Sequence, residues 1–241
     1  MSAEVAPDPA AARRALAHGE ITVHGRIAGS SNVTLFATCA LDDTELAVVY
    51  KPARGERPLW DFPTGLHRRE VAAYVLSETL GWGLVPLTIE RLDAPLGIGS
   101  LQLFVDEDGE SHYFTLRAEE RWTHTLHRLA VFDVVANSAD RKSGHVLLAD
   151  DRLWAIDNGL SFHRQPKLRT VIWDFAGDRL SAEETSALER LVSDPLSTRL
   201  EELLEPGEGA ALLRRATRLL KEGCLPAPGD DDWRPYPWPL V

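Results

Sequence analysis

The chain has 241 residues, enough for one large domain or two small lobes packed together, and carries 26 basic against 37 acidic side chains, a formal net charge of -11. Hydrophobic residues at 44% and charged residues at 26% exclude global disorder, and the acidic excess argues against a duplex nucleic-acid binder, which needs a basic face. No apolar run reaches the ~18 residues of a membrane span, and MSAEVAPDPAAARRALAHGE has neither the basic start nor the apolar core of a secretory signal. Two distant cysteines, Cys39 and Cys224, exclude a disulfide scaffold and a cysteine-rich zinc site. The expectation is a soluble cytoplasmic protein with no nucleic-acid partner and no integral membrane contact.

Asp8 as N-cap, Pro9 at the first helical position and Gly19 at the stop predict a helix between them. ITVHGRI (21–27), VTLFATC (33–39) and ELAVVYK (45–51) read as strands joined by AGSSN (28–32) and LDDT (41–44), an antiparallel meander. PARGERPLWDFPTG (52–65) is a loop, and HRREVAAYVLSETLG (67–81) is a helix with Val71, Val75, Leu76 and Leu80 on one stripe. Strands are predicted at 85–92 and 99–106, a hairpin turn at 107–110 and a return strand at 111–117. Residues 119–139 form an amphipathic helix, and 145–150 with 152–157 form a hairpin around Asp150-Asp151.

The remainder is predicted helical, with a Ser181–Glu184 capping box and a last helix ending at Gly223. The proline-rich tail PAPGDDDWRPYPWPLV is an extended strap, and its run Asp230-Asp231-Asp232 is a solvated one. A β-rich half holding one helix therefore precedes an α-rich half holding one hairpin. The expected fold class is α+β and two-lobed, with an N-lobe over 1–105 and a C-lobe over 106–241.

Only four cationic side chains are lysines, so a lysine ending an apolar strand draws notice. Lys51 reads either as a solvated strand end or as a cation aimed at phosphate oxygens, held by a helix carboxylate such as Glu70. Glu70 alone also fits an ordinary first-turn surface residue. Asn137, Asp140, Lys142 and His145 stand in a polar loop between a helix and a strand, where they would serve equally to end the helix. Asp157-Asn158-Gly159 closes the hairpin; it is a common turn signal, yet LSFHRQPK behind it does not alternate as a returning strand would. Phosphoryl transfer needs a lysine for the nucleotide, a glutamate for the lysine, an aspartate for the attacking hydroxyl and two metal ligands. Lys51, Glu70, Asp140, a position five residues later and Asp157 supply that series in order.

On these residues the chain resembles the phosphatidylinositol 3-/4-kinase-like superfamily and its HipA-like relatives, most of all the small uncharacterised actinobacterial members. ADRKSGHVLL (139–148) is similar to a family loop Asp-Arg-His-x-x-Asn-hydrophobic, and IDNGLSF (156–162) to the metal-binding Ile-Asp-[Phe/Asn]-Gly. The resemblance implies a protein-kinase-like two-lobed fold and transfer of the γ-phosphate of ATP, with Mg²⁺ or Mn²⁺, to a hydroxyl of a protein or small-molecule acceptor. It implies that Lys51 contacts phosphates and Glu70 holds it, and that Gly29, Ser30, Ser31 and Asn32 form a phosphate-facing turn. Residues 101–106 would form the adenine hinge. Asp140 would be the catalytic aspartate, with Asn137 and Lys142 in the same loop, and Asp157 and His145 would hold metal.

Two departures stand out. Lys142 replaces a His and sets a cation beside Asp140, or points to solvent. His145 replaces an Asn, and imidazole suits Mn²⁺ better than Mg²⁺. The expectations are a weak or Mn²⁺-selective second metal and activity falling below about pH 6.5 as His145 protonates. Alternatives are a His145 that packs against the hairpin in a nucleotide-binding pseudokinase, and an enzyme of the same fold that transfers AMP.

Overall fold

The computed structural model describes residues 8–107, 109–229 and 235–240; the acidic run Asp230-Asp231-Asp232 lies outside them. The chain divides into two compact units, one running to Val71 and resuming over Leu87–Phe104, the other made of Ala72–Pro86 and Val105 onward. Residues 72–86, which sequence order keeps with the N-lobe, thus join the second unit.

In the first unit, α1 (Pro9–His18) starts as the sequence dictates, with Asp8 Oδ2 accepting from Ala11 N at 3.2 Å and Pro9 at the first helical position. Strands β1 (Glu20–Arg26), β2 (Leu35–Leu41) and β3 (Thr44–Pro52) form the expected meander. The sheet is completed by β4 (Thr88–Arg91) and β5 (Gly99–Leu103) in the order β1-β2-β3-β5-β4, antiparallel throughout. One face buries Ala37, Cys39, Val48, Tyr50 and Leu101 with Ala12, Ala15 and Leu16 of α1. Buried Arg91 fastens α1 from the edge strand, donating to Leu16 O at 2.6 Å and Gly19 O at 3.1 Å. It thereby satisfies carbonyls that a helix end leaves open.

The expected return strand at 111–117 is a helical turn, α3 (Tyr113–Leu116). The physical reason is twofold. Both edges of β5 are already taken, by β3 and β4, and Tyr113 and Leu116, three apart, are both fully buried on one side of a turn.

In the second unit, α4 (Thr123–Ala136) follows a 3-10 turn, Glu120–Trp122, and buries Leu126, Leu129, Phe132 and Val135. Strands β6 (Val146–Ala149) and β7 (Arg152–Ala155) form the predicted hairpin, with Asp150 and Asp151 at positive φ in its turn. The predicted capping box is present at α5 (Ala182–Ser193): Ser181 Oγ accepts from Glu184 N, and Ser181 N donates to Glu184 Oε2 at 2.8 Å. α6 (Thr198–Leu203) and α7 (Glu208–Glu222) follow, and α7 packs its stripe of Ala211, Leu212, Ala216 and Leu219 on α4 and α5.

Between Asp157 and Ser181 no helix forms, against the expectation of a helical remainder. That segment is held by single backbone bonds instead, such as Ala139 N to Leu160 O and Phe162 N to Ala136 O. Of the tail, Pro235 O accepts from Thr170 N and Trp173 Nε1, and Leu240 O accepts from Ser143 N. Among the described residues, no helix is long and apolar enough to cross a membrane.

Gly99 shows how tightly the sheet closes on the functional strand. A β-carbon there would overlap the Lys51 carbonyl oxygen and stand 2.7 Å from Tyr50 Cε2. Replacing Gly99 by Ala is expected to destabilise the protein by about 1–3 kcal/mol through overpacking, read as a lower midpoint in urea unfolding; an unchanged midpoint would show that the β3–β5 pairing yields freely.

Candidate active site

In the first unit, Lys51 pairs across the sheet with Ser100, and its Nζ lies 2.5 Å from Glu70 Oε1 in α2 (Leu66–Thr79). The Glu70 side chain is 4% exposed while Lys51 keeps 19%, so a buried carboxylate holds a lysine that stays partly exposed. Low local dielectric strengthens this pair well above a surface ion pair.

Aiming α2 is the work of Glu56, which the sequence did not single out. Its carboxylate accepts from Gly65 N at 2.9 Å, from His67 N at 2.8 Å and from His67 Nδ1 at 2.7 Å. These donors include orphan N–H groups at the helix start. Burial by itself would raise the Glu56 pKa, but the hydrogen bonds from His67 and the backbone outweigh it and hold the group below its usual range. No local motif announces an acceptor nine residues upstream of the N–H it serves.

The turn at 28–32 is present, with Gly29 at φ 82. Its side chains serve the turn itself: Ser30 Oγ bonds Thr34 Oγ1 at 2.7 Å, and Asn32 Oδ1 accepts from Arg57 N at 2.9 Å. The Ser30 hydroxyl and the Asn32 side-chain oxygen are thus engaged within and beside the turn.

In the second unit, Lys142 Nζ lies 3.2 Å from Asp140 Oδ2, and His145 Nε2 lies 3.3 Å from Asp157 Oδ2. Burial raises the Asp140 pKa above the usual carboxylate range; the Lys142 cation pulls it down, and the Asp157 charge adds to the rise. A carboxylate so tuned is a stronger base than a solvated one. His145 Nδ1 accepts from Lys142 N at 3.4 Å, which assigns the ring proton to Nε2 and makes His145 a donor to Asp157. Asp157, 47% exposed and in the left-handed region at φ 55, presents oxygens outward.

Among the described residues, no three His, Cys, Asp or Glu side chains converge as a metal site. Asp157 still fits a divalent cation of the Mg²⁺ type, which takes one or two carboxylates and fills its remaining positions with phosphate oxygens and water. Asp157-Asn158-Gly159 is no hairpin turn, since Asn158 is buried and accepts from Arg141 Nη2 at 2.6 Å.

Asn137 has a different task from the catalytic one expected. It caps α4 in the left-handed conformation, is 2% exposed, and spends its amide on backbone: Nδ2 donates to His163 O and Gln165 O, and Oδ1 accepts from Lys167 N. Both polar atoms of its side chain are thus engaged with backbone.

Sequence reading also passed over Arg141, between Asp140 and Lys142. Its side chain is 1% exposed and forms an ion pair at 3.0 Å with fully buried Asp133. It also donates to Ile156 O at 2.7 Å and to Asn158 Oδ1, while Thr170 Oγ1 donates to Asp133 Oδ2 at 3.0 Å. The only sequence signal was Asp133, a charge on the apolar side of an amphipathic helix.

These geometries sit on a kinase-like α+β fold. The structure of hydra Fam20 with sugar matches with a TM-score of 0.59 at 14% identity, covering 87% of this chain and 86% of that one. A Golgi casein kinase structure with Mn/ADP bound matches with a TM-score of 0.58 at 15% identity, covering 96% and 80%. Within that fold class, the Mycobacterium tuberculosis protein Rv2133c is 40% identical over 93% of each chain, and the present chain belongs to its family. Phosphatidylinositol 4-kinase gamma 4 of Arabidopsis thaliana is 31% identical over 64% of this chain, which spans 32% of that protein. No protein-family model matches.

Removing Arg141 would leave Asp133 buried and unpaired. Arg141→Met is expected to cost about 3–5 kcal/mol, whereas Arg141→Met with Asp133→Leu should recover much of that loss, both measured by urea unfolding. A double variant as unstable as the single one would overturn this account.

Proposed function

We propose that this chain is an ATP-dependent phosphotransferase that moves the γ-phosphate to a hydroxyl of a protein or small-molecule acceptor. The observation that carries the reading is the pairing of the expected residues within each unit: Lys51 with Glu70 in the first, and Asp140 with Lys142 and Asp157 with His145 in the second. The kinase-like fold supports it, and the likeness to a plant phosphatidylinositol 4-kinase supports a phosphatidylinositol 3-/4-kinase-like kind. A shared fold does not fix a function, so the site and not the fold bears the claim.

Lys51, oriented by Glu70, offers its ammonium to the nucleotide phosphates. Asp140 accepts the proton of the attacking hydroxyl, and its raised pKa suits that task. Lys142 holds the Asp140 carboxylate and sets a positive charge beside it. Asp157 holds Mg²⁺ or Mn²⁺, steadied by the His145 N–H. The bound cation supplies charge neutralisation on the transferring phosphate. A second reading, nucleotide binding without transfer, draws on His145: an imidazole beside Asp157 stands where the resemblance implies an asparagine oxygen as metal ligand.

ATP with Mg²⁺ or Mn²⁺ at 100 times its dissociation constant is expected to stabilise the protein by ~2.7 kcal/mol, a rise of roughly 5–10 °C in Tm for a chain of this size. Label from γ-labelled ATP supports phosphotransfer, label from α-labelled ATP supports AMP transfer, and a Tm shift without either label supports the non-transferring reading. No shift with either metal sinks all three. Asp140→Asn is expected to lower transfer by about 10²–10⁴, and Asp157→Ala to abolish it.

Asp140 works as a base only when ionised, so activity falls as pH drops through its pKa. Lys142 lowers that pKa, so Lys142→Met is expected to move the acid limb of the kcat/KM profile to higher pH. A limb that stays or moves to lower pH would refute the assignment of Asp140 as the titrating base.

A further inference from the structure

A buried histidine lies one helical turn before Glu70. His67 is 6% exposed, and its ring stands between two acids from different parts of the first unit. Nδ1 lies 2.7 Å from Glu56 Oε1 in the loop before α2, and Nε2 lies 3.6 Å from Glu90 Oε1 in β4. The first contact is a hydrogen bond to an ionised acid, whose pKa is held down by the His67 bond. A carboxylate only accepts, which assigns a proton to Nδ1. The second contact is too long for a hydrogen bond, and the buried Nε2 makes none to any described residue. A buried polar atom in that state is uncommon and calls for a reason.

Residues three apart on a helix share a face, so His67 and Glu70 both look at the sheet, Glu70 at Lys51 and His67 at Glu90. Lys51 of β3 and Glu90 of β4 are each in register with Ser100 of β5. Side chains directly opposite one another lie on one face of a sheet, here about 10 Å apart, two strand spacings. The first turns of α2 therefore meet the sheet at two polar points that straddle β5. A helix held at one point can still roll about its axis, and rolling carries Glu70 off Lys51. A second point removes that freedom. Glu56 fixes the imidazole from the loop, and Glu90 limits its swing from the sheet.

We infer that His67 is a positioning residue for the candidate phosphate-binding lysine: by fixing the roll of α2 it keeps Glu70 on Lys51 and so sets the affinity for nucleotide. The inference rests on the reading of Lys51 as the cation that meets phosphate. His67 acts only through α2 and Glu70, so its removal should disturb Lys51 and leave the other lysines as they are.

The test uses the full chain carrying isotope-labelled lysine. Lys51, Lys142, Lys167 and Lys221 are its only lysines, so each side-chain ammonium can be followed by NMR, and Glu70→Gln marks where the Lys51 signal goes when its pair is broken. In His67→Ala the Lys51 signal is expected to move toward that position while the other three stay, and the dissociation constant for ATP with Mg²⁺, read by calorimetry, to rise about tenfold. His67→Asn keeps a donor near the place of Nδ1 and loses the ring edge that faces Glu90; a loss of about threefold is expected. Glu90→Ala is expected to match it and to add nothing in the His67→Asn background, which keeps the test open if His67→Ala does not fold. The inference is overturned if the Lys51 signal stays in place in His67→Ala, if all four lysine signals move together, if His67→Asn is as impaired as His67→Ala, or if Glu90→Ala adds its full effect to His67→Asn. A parent chain that does not bind ATP refutes the phosphotransferase reading, and the Lys51 signal then still decides whether His67 sets the Lys51–Glu70 pair.

Discussion

The geometry of the second unit depends on one guanidinium. Arg141 is sealed from water and joined to Asp133 on α4, to the carbonyl of Ile156 and to the side chain of Asn158. Its own backbone is stitched to the 169–171 segment through Arg141 N to Arg169 O and Val171 N to Arg141 O. Asp140 is thus adjacent in sequence to the bolt, and Asp157 is flanked by the two residues it holds. Burying two charges is costly, and a well-packed apolar pair of the same volume often does as well for stability. What the ion pair supplies is position: five directed donors in a rigid plane fix two chain segments to one helix, which apolar contacts do not do with the same angular precision.

The same division of labour recurs in the first unit. Glu56 collects the open N–H groups before α2, α2 carries Glu70, and Glu70 holds Lys51. In both units the candidate site residues Lys51, Asp140, Lys142 and Asp157 are partly exposed, and Glu70 and Arg141, which hold the lysine and the loop, are buried. This is the arrangement expected of a preorganised site, where the cost of ordering polar groups is met during folding and not at the moment of reaction.

Electrostatics on this protein are local. The overall charge is -11, yet the charges beside the candidate site residues are the cations Lys51 and Lys142. The carboxylate of Asp140 is raised by burial and that of Glu56 is depressed by its donors, although each is an acid in a partly buried setting. The difference lies in the number of N–H groups aimed at each oxygen, not in the residue type.

Periodicity, caps and turn residues were enough for the meander, α1, α4, the β6–β7 hairpin, the Ser181 capping box and the Gly223 stop, because each depends on neighbours within a few positions. The order of the candidate groups from Lys51 to Asp157 was legible in a similar way: Lys51 stands near the end of β3, Glu70 in the early turns of α2, and Asp140 and Asp157 shortly after α4 and β7. The return strand at 111–117 was misread because its pattern fits a strand equally well, and only the occupied edges of β5 exclude it. The bonding of the Asn137 side chain is invisible in the sequence, because its partners at residues 163–167 reach it only when that segment folds back. Arg141 and Glu56 are not legible because their partners lie eight to seventeen positions away, beyond the reach of a local motif. The sequence determined which elements form and in what order the reactive groups occur; the tertiary structure alone decided which of those groups are free to act, since a hydrogen bond between distant segments consumes a donor that no local pattern records as spent.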